Sequence, residues 1–237
     1  DLVDRRTGAS SRLGVMRDKN TLTCRLDGED VRRRSVLAEA LPVQWIGSQP
    51  QLLLSLGPEI RRRFLDMGLF HVEHGYLENL AELQRCLRQR NAAIRTGRIT
   101  EVRVWSRPLG LAGEKVAEKR RRFIDVIRPR VEAFLDAWQC DFHIEFRYRQ
   151  GWSQRRTFHE LLEERAESDI HLGYTSSGPQ RADLELLTGG IVAEKILSRG
   201  QQKLLVLALH LTLLDLIGDA RDGNAPVMLI DDLAAEL

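Results

Sequence analysis

Between Thr21 and Leu26 apolar and polar side chains alternate, and Asp27-Gly28 follows directly. That pattern predicts a strand running into a tight hairpin turn. Val36 to Leu41 predicts a short helix or connection, and Pro42 to Ile46 a buried strand closed by Gly47-Ser48-Gln49-Pro50. From Gly57-Pro58 the period lengthens to that of a helix. Ile60, Phe64 and Leu65 oppose Arg61-Arg62-Arg63, and Leu77, Leu80, Leu83, Leu87 and Ile94 recur at helical spacing. A third helix is expected from about Glu114 to Trp138, kinked or divided at Pro129. The period then returns to two over Phe142, Ile144, Phe146 and Tyr148. A helix follows over Thr157 to Glu167, with Glu160 at capping-box distance from Thr157. Beyond it the sequence predicts a strand Leu184 to Leu187, a Gly189-Gly190 turn, a long apolar helix from Gln201, and a strand Val227 to Ile230.

Strand-rich segments thus flank a helical middle of about 80 residues, the pattern of an α/β domain with an inserted helical arm. The 237 residues are 43% hydrophobic and 30% charged, which excludes a disordered or collagen-like chain. Cys24, Cys86 and Cys140 are odd in number and far apart. They fit a reducing cytoplasm rather than a disulfide scaffold or a zinc finger. The longest apolar run, Leu204 to Gly218, holds His210, Thr212 and Asp215 and falls short of the roughly 20 residues a membrane span requires. A membrane role is therefore not expected. The net charge of +2 is unevenly spread. Between residues 85 and 130 fourteen bases face four acids, a local +10, so the remainder carries −8. Arg88, Arg90, Arg120, Arg121 and Arg122 in this stretch are candidates for a phosphate backbone, against the alternative of a solvated helix face. One of Arg61, Arg62 and Arg63 must lie on the packing face, where it would need a carboxylate such as Asp66.

Two strings carry chemistry. Leu197-Ser198-Arg199-Gly200-Gln201 opens the last long helix. Ser198 can cap it, and Gly200 lets a phosphate approach free N–H groups at the positive end of the helix dipole. An ordinary capped helix would read the same. Val227 to Ile230 then delivers Asp231-Asp232 at the end of an apolar strand, a Walker B arrangement in which one carboxylate holds Mg²⁺ and the next polarises a water. A strand ending in an Asx turn is the alternative. The two strings in this order, one helix apart, are much more specific together. In Thr175 to Asp183, Gly178-Pro179 breaks the chain, and Arg181 and Asp183 either face a site or pair on a turn. His71 and His74 with Glu73 form at most a loose metal-like cluster, and a structural role fits His71 better.

These residues resemble the RecF family of SMC-like ABC ATPases over essentially the whole chain. The resemblance rests on Gly57-Pro58-Glu59-Ile60-Arg61-Arg62-Arg63-Phe64-Leu65-Asp66, Phe70-His71, Arg88-Gln89-Arg90-Asn91-Ala92, Thr175 to Asp183, Leu197 to Gln201, and Leu229 to Leu237. It departs at Gln180, where the family has His, and no P-loop string G-x-x-G-x-G-K-[ST] occurs. The expectation is a fragment that starts after the P-loop and ends just past Walker B. Its sheet would keep an unpaired edge and an exposed apolar face.

The resemblance implies an incomplete α/β, ABC-type (P-loop NTPase) ATPase head with a helical arm. It assigns 1–56 to the head, 57–140 to the arm and 141–237 to the head with signature and Walker B. It implies that Ser198, Arg199, Gly200 and Gln201 contact ATP held by a second subunit, that Asp231 helps hold Mg²⁺, and that Asp232 is the catalytic carboxylate. Gln49 lies near a Q-loop position. The implied activity is a weak DNA-stimulated ATPase that dimerises on ATP at double-stranded/single-stranded gap junctions. With RecO and RecR it would promote RecA loading in the cytoplasm. Two alternatives stay open: another short-armed SMC-like ATPase, and a non-hydrolysing DNA-binding scaffold.

Overall fold

A computed structural model describes residues 2–3, 8, 10–19, 21–221 and 226–231. The chain divides into two compact units, Asp1–Pro50 with His210–Leu237, and Gln51–Leu209. The segments expected as head (1–56), arm (57–140) and head (141–237) therefore group differently. Residues 141–209 join the arm helices, and 210–237 join the N-terminal strands.

In the first unit, β1 (Leu2–Val3) pairs with β2 (Ser10–Ser11), and β3 (Leu13–Arg17), β4 (Leu22–Leu26) and β5 (Glu29–Asp30) form an antiparallel sheet. Asp27 and Gly28 join β4 to β5 with φ of 53° and 88°, the left-handed pair that a two-residue hairpin turn requires. Helix α1 (Arg34–Ala40) leads to β6 (Val43–Ile46). Its last carbonyls are capped by Arg221, which donates to Glu39 O and Ala40 O.

The second unit is mostly helical. It runs through α2 (Leu52–Ser55), α3 (Pro58–Val72), α4 (Tyr76–Arg95) and α5 (Ile99–Ala137), then β7 (Glu145–Arg149), α6 (Phe158–Glu164) and α7 (Ala166–Leu172). A 3₁₀ turn (Pro179–Arg181), β8 (Asp183–Thr188), β9 (Ile191–Val192) and α8 (Ala193–Ile196) complete it. Helix α9 (Arg199–Ala220) begins in this unit and ends in the first, where β10 (Val227–Ile230) follows. Strand β7 pairs antiparallel with β8, Glu145 opposite Leu187 and Arg149 opposite Asp183. In the first unit β10 lies parallel to β6, Val227 opposite Val43 and Ile230 opposite Ile46. One face of this pair, formed by Val43, Trp45, Val227 and Leu229, is exposed.

Helix α5 is the spine of the second unit. Val102, Leu109, Val116, Phe123, Ile127 and Val131 line its buried stripe. It starts 15 residues before the expected Glu114 and passes uninterrupted through Pro108 and Pro129. The carbonyls these prolines leave unpaired belong to Val104 and Asp125, four residues earlier. Both residues are exposed, so the lost bonds fall on the solvent side of the helix. Gly110 and Gly113 hide the helical period because they carry no apolar side chain, yet both are needed. A Cβ on Gly113 would stand 2.5 Å from Phe158 Cδ1, so glycine is what lets α6 lie against α5.

The expected helix Thr157 to Glu167 is instead two, broken at Arg165. Its start is as expected: Thr157 Oγ1 accepts from Glu160 N at 3.2 Å, and Glu160 Oε2 accepts from Thr157 N at 2.9 Å. Strand β7 begins later than Phe142. Phe142 and Ile144 are buried nonetheless, so the alternation reports burial rather than pairing. Among the described residues no helix is long and apolar enough to cross a membrane.

Candidate nucleotide and nucleic-acid site

The start of α9 is built as a reciprocal capping box. Ser198 Oγ accepts from Gln201 N at 3.3 Å, and Gln201 Oε1 accepts from Ser198 N at 2.8 Å. The other end of the Gln201 amide donates to Asp141 Oδ1 at 2.8 Å. Gln202 clamps the preceding turn by donating to Glu194 O and Leu197 O, each at 2.9 Å. The cap leaves chemistry to spare. No described residue accepts the Ser198 hydroxyl hydrogen, and Arg199 is exposed. A Cβ on Gly200 would meet nothing within 4 Å. With 22 residues of helix behind it, this open, donor-rich end suits an anionic phosphate. The residues present therefore fit an ATP phosphate.

In the other unit, the parallel pairing of β6 and β10 brings the C-terminal ends of both strands to one sheet edge. Asp231 N donates to Ile46 O at 2.9 Å, which extends the ladder and leaves the Asp231 side chain exposed beyond it. Gln49, three residues past Ile46, is exposed at the same edge. Asp232 lies outside the described residues. Among the described residues no cluster of three or more His, Cys, Asp or Glu is gathered for a metal, so His71, Glu73 and His74 make no metal site. Behind this strand pair, His210 shares a hydrogen bond of 3.1 Å with the buried Gln44, and burial holds its pKa down at about 4.

Of the five arginines expected to meet DNA, two do not present a guanidinium to solvent. Arg90 is wholly buried. It donates to Asp169 Oδ2 at 2.7 Å, Thr175 Oγ1 at 2.9 Å, Leu162 O at 3.0 Å and Ser106 Oγ at 3.3 Å. Arg120 is 3% exposed. It grips both Asp66 oxygens at 2.8 and 2.9 Å and donates to Pro179 O at 2.9 Å. Both arginines are spent on structure, so the expectation of a DNA contact is corrected for each. Arg88 and Arg122 are exposed, and Arg121 is half-buried. Arg121 and Arg122 share Glu118, and Arg121 also reaches Gln150 Oε1 at 3.0 Å.

The buried arginines converge on the loop Thr175 to Asp183. Arg90 holds Thr175, Arg120 holds Pro179, and Arg62 donates to Ala182 O at 2.7 Å. Arg61 forks onto Asp183 at 2.8 and 3.0 Å. Arg63 pairs on the surface with Glu59 at 2.6 Å, so the carboxylate that meets this run on its packing side, through Arg61, is Asp183 and not Asp66, which Arg120 and the Tyr76 hydroxyl occupy. Burial, then the facing Asp66, holds the Tyr76 phenol above its ordinary range against the counter-effect of Arg120. Burial also lowers Arg62, with Arg120 adding to the effect. Asn91 Oδ1 accepts from Thr175 N and Oγ1, and Asp169 Oδ1 accepts from Ser176 N and Oγ. Gln180 donates to Ser177 O at 2.7 Å, and Arg181 stacks on Tyr174. Sequence reasoning missed Asp141, Asp169 and Gln150, whose partners lie 29 to 79 positions away.

No protein-family model matches the chain. The solved structure of the recombination mediator protein RecF with ATP, in the RecFOR pathway, superposes with a TM-score of 0.84. Its identity is 19%, over 96% of this chain and 64% of that one. A second RecF structure, with an ATP analogue, gives 0.82 over 98% and 66%. This is an α/β fold of the ABC ATPase type carrying a helical arm. The DNA replication and repair protein RecF of Stutzerimonas stutzeri (strain A1501) is 40% identical over 231 residues, 96% of this chain and 62% of that protein. RecF of Pseudomonas putida (strain F1) is 41% identical over 233 residues, 97% of this chain and 63% of that protein. The chain is a homologue of RecF and spans somewhat less than two thirds of the relatives it matches.

Proposed function

We propose that the chain provides the arm, the signature and the Walker B strand of an ATP-switched recombination mediator in DNA repair. The reading is carried by the helix end at Ser198-Arg199-Gly200-Gln201, where the Ser198 hydroxyl keeps its hydrogen free to donate and Gly200 has open space beside it. One helix later the chain reaches Asp231 at a strand end. The homology to RecF supports it.

In this reading the Ser198 hydroxyl, the Gly200 backbone and Arg199 bind phosphates of ATP held mainly by a second subunit, so two heads close on each other. Asp231 would help hold Mg²⁺, and Asp232 would accept a hydrogen bond from the attacking water. When bound, Mg²⁺ neutralises charge on the phosphates. The bound state is the dimer, and turnover, weak and stimulated by DNA, reopens it. Exposed Arg88 and Arg122, with Arg121, hold double-stranded DNA beside a single-stranded gap through phosphates, without reading sequence. RecR and RecO then assist RecA loading in the cytoplasm.

The test uses the full-length protein. Sedimentation with and without ATP, and with gapped or blunt duplex DNA, should show an ATP-dependent dimer that binds the gapped duplex more tightly. A protein that binds DNA equally well as a monomer without ATP would support the non-hydrolysing scaffold instead.

A further inference from the structure

Gln201 is held at both ends of its amide. Oε1 accepts from Ser198 N at 2.8 Å, and Nε2 donates to Asp141 Oδ1 at 2.8 Å. A glutamine amide has one acceptor end and one donor end, and it rotates freely at the surface unless both are engaged. Asp141 is not on the signature helix. It lies four residues past the last residue of α5, on the stretch that leads into β7, and it is exposed. Two features make its contact directional. An ionised carboxylate accepts only, so it selects the Nε2 end and leaves Oε1 for Ser198. A hydrogen bond to a charged group is also stronger than one between neutral groups. Gln202 fixes the turn before Ser198 by bonds to Glu194 O and Leu197 O, but none of those bonds orients the Gln201 amide.

We propose that Asp141 is a positioning residue for the signature. It sets the Gln201 amide, which holds the Ser198 turn in place so that the Ser198 hydroxyl presents its hydrogen outward. The proposal rests on reading Ser198 to Gln201 as the surface that closes on a partner's ATP. Asp141 touches no phosphate itself. Because it stands at the base of α5, it also ties the helix that carries Arg121 and Arg122 to the signature turn within one compact unit.

The test measures, in full-length protein, the ATP concentration that half-saturates dimerisation and, separately, the affinity of the dilute monomer for a fluorescent ATP analogue. Asp141→Ala should raise the dimerisation midpoint about five- to tenfold, the scale of one solvent-exposed hydrogen bond, and leave monomer affinity and melting temperature unchanged. Asp141→Asn keeps an acceptor but loses the charge and the acceptor-only selection, so it should restore only part of the loss. Gln201→Ala should match Asp141→Ala, and the double variant should be no worse than Gln201→Ala. A wild-type midpoint in Asp141→Ala, or losses that add in the double variant, overturns the proposal. Ser198→Arg separates the two readings. If it dimerises normally the signature assignment falls. If it fails to dimerise while Asp141→Ala is normal, only the positioning role falls.

Discussion

Arg90 Nη1 lies 2.7 Å from Asp169 Oδ2, and neither side chain is open to solvent. Asp169 uses its other oxygen to accept from Ser176 N and Oγ at 3.1 and 2.6 Å. The pair thus joins α4, α7 and the loop Thr175 to Asp183 into one polar network beneath the surface. Removing one partner strands the other as a buried charge. Arg90→Ala should therefore cost about 3–5 kcal/mol in urea unfolding. Arg90→Lys should recover only part of it, because a single ammonium cannot serve four acceptors spread around a guanidinium. A variant as stable as wild type would mean that water satisfies Asp169 and that the network is slack.

The contrast with Arg88 and Arg122 is the next expectation. Both are exposed on the arm. Arg88→Glu with Arg122→Glu should leave the melting temperature almost unchanged while weakening duplex binding at low salt. The slope of log affinity against log salt should flatten by about 0.9 for each phosphate that is no longer neutralised. Filter binding or anisotropy across a salt series reads both quantities. A weaker affinity with an unchanged slope would place the phosphate-binding residues elsewhere.

Close approach of α5 and α6 yields a third prediction. A methyl on Gly113 would sit 2.5 Å from Phe158 Cδ1 and 2.7 Å from Phe158 Cε1. Gly113→Ala should destabilise by about 1–3 kcal/mol by overpacking, even though alanine favours helix more than glycine does. Thermal unfolding would show a fall where helix propensity alone predicts a rise.

A fourth concerns pH. Burial holds the folded-state pKa of His210 at about 4, whereas an unfolded histidine titrates near 6.5. Between these values the unfolded chain binds a proton that the folded chain refuses. Stability is therefore fully present above about pH 6.5 and declines as pH drops towards 4, by up to about 3 kcal/mol. His210→Gln, which can keep a hydrogen bond to Gln44, should remove this part of the slope. Urea midpoints between pH 4.5 and 7.5 compare the two proteins.

Much of this structure was legible in sequence where the period was clean. The hairpin at Asp27-Gly28, the start of α3 after Gly57, the Thr157 capping box and the strand Val227 to Ile230 follow from local rules. The cap at Ser198 was legible for the same reason, since it is made by residues three apart. What escaped has physical causes. The first turns of α5 were hidden because Gly110 and Gly113 serve close approach rather than burial, and because Pro108 reads as a breaker even though the carbonyl it leaves unpaired, that of Val104, belongs to an exposed residue. Arg90 and Arg120 looked like DNA contacts because charge counts carry no direction. Their partners, Asp169 and Asp66, lie 79 and 54 positions away. Asp141 left no local signal either, since its partner Gln201 is 60 positions distant.

In the proposed switch the Ser198 turn closes on ATP held by another subunit. The most direct test is Ser198→Arg in the full-length protein, followed by sedimentation with saturating ATP. The monomer should bind the nucleotide as wild type does, and the ATP-dependent dimer should be absent. A Ser198→Arg protein that dimerises normally on ATP would contradict that closure.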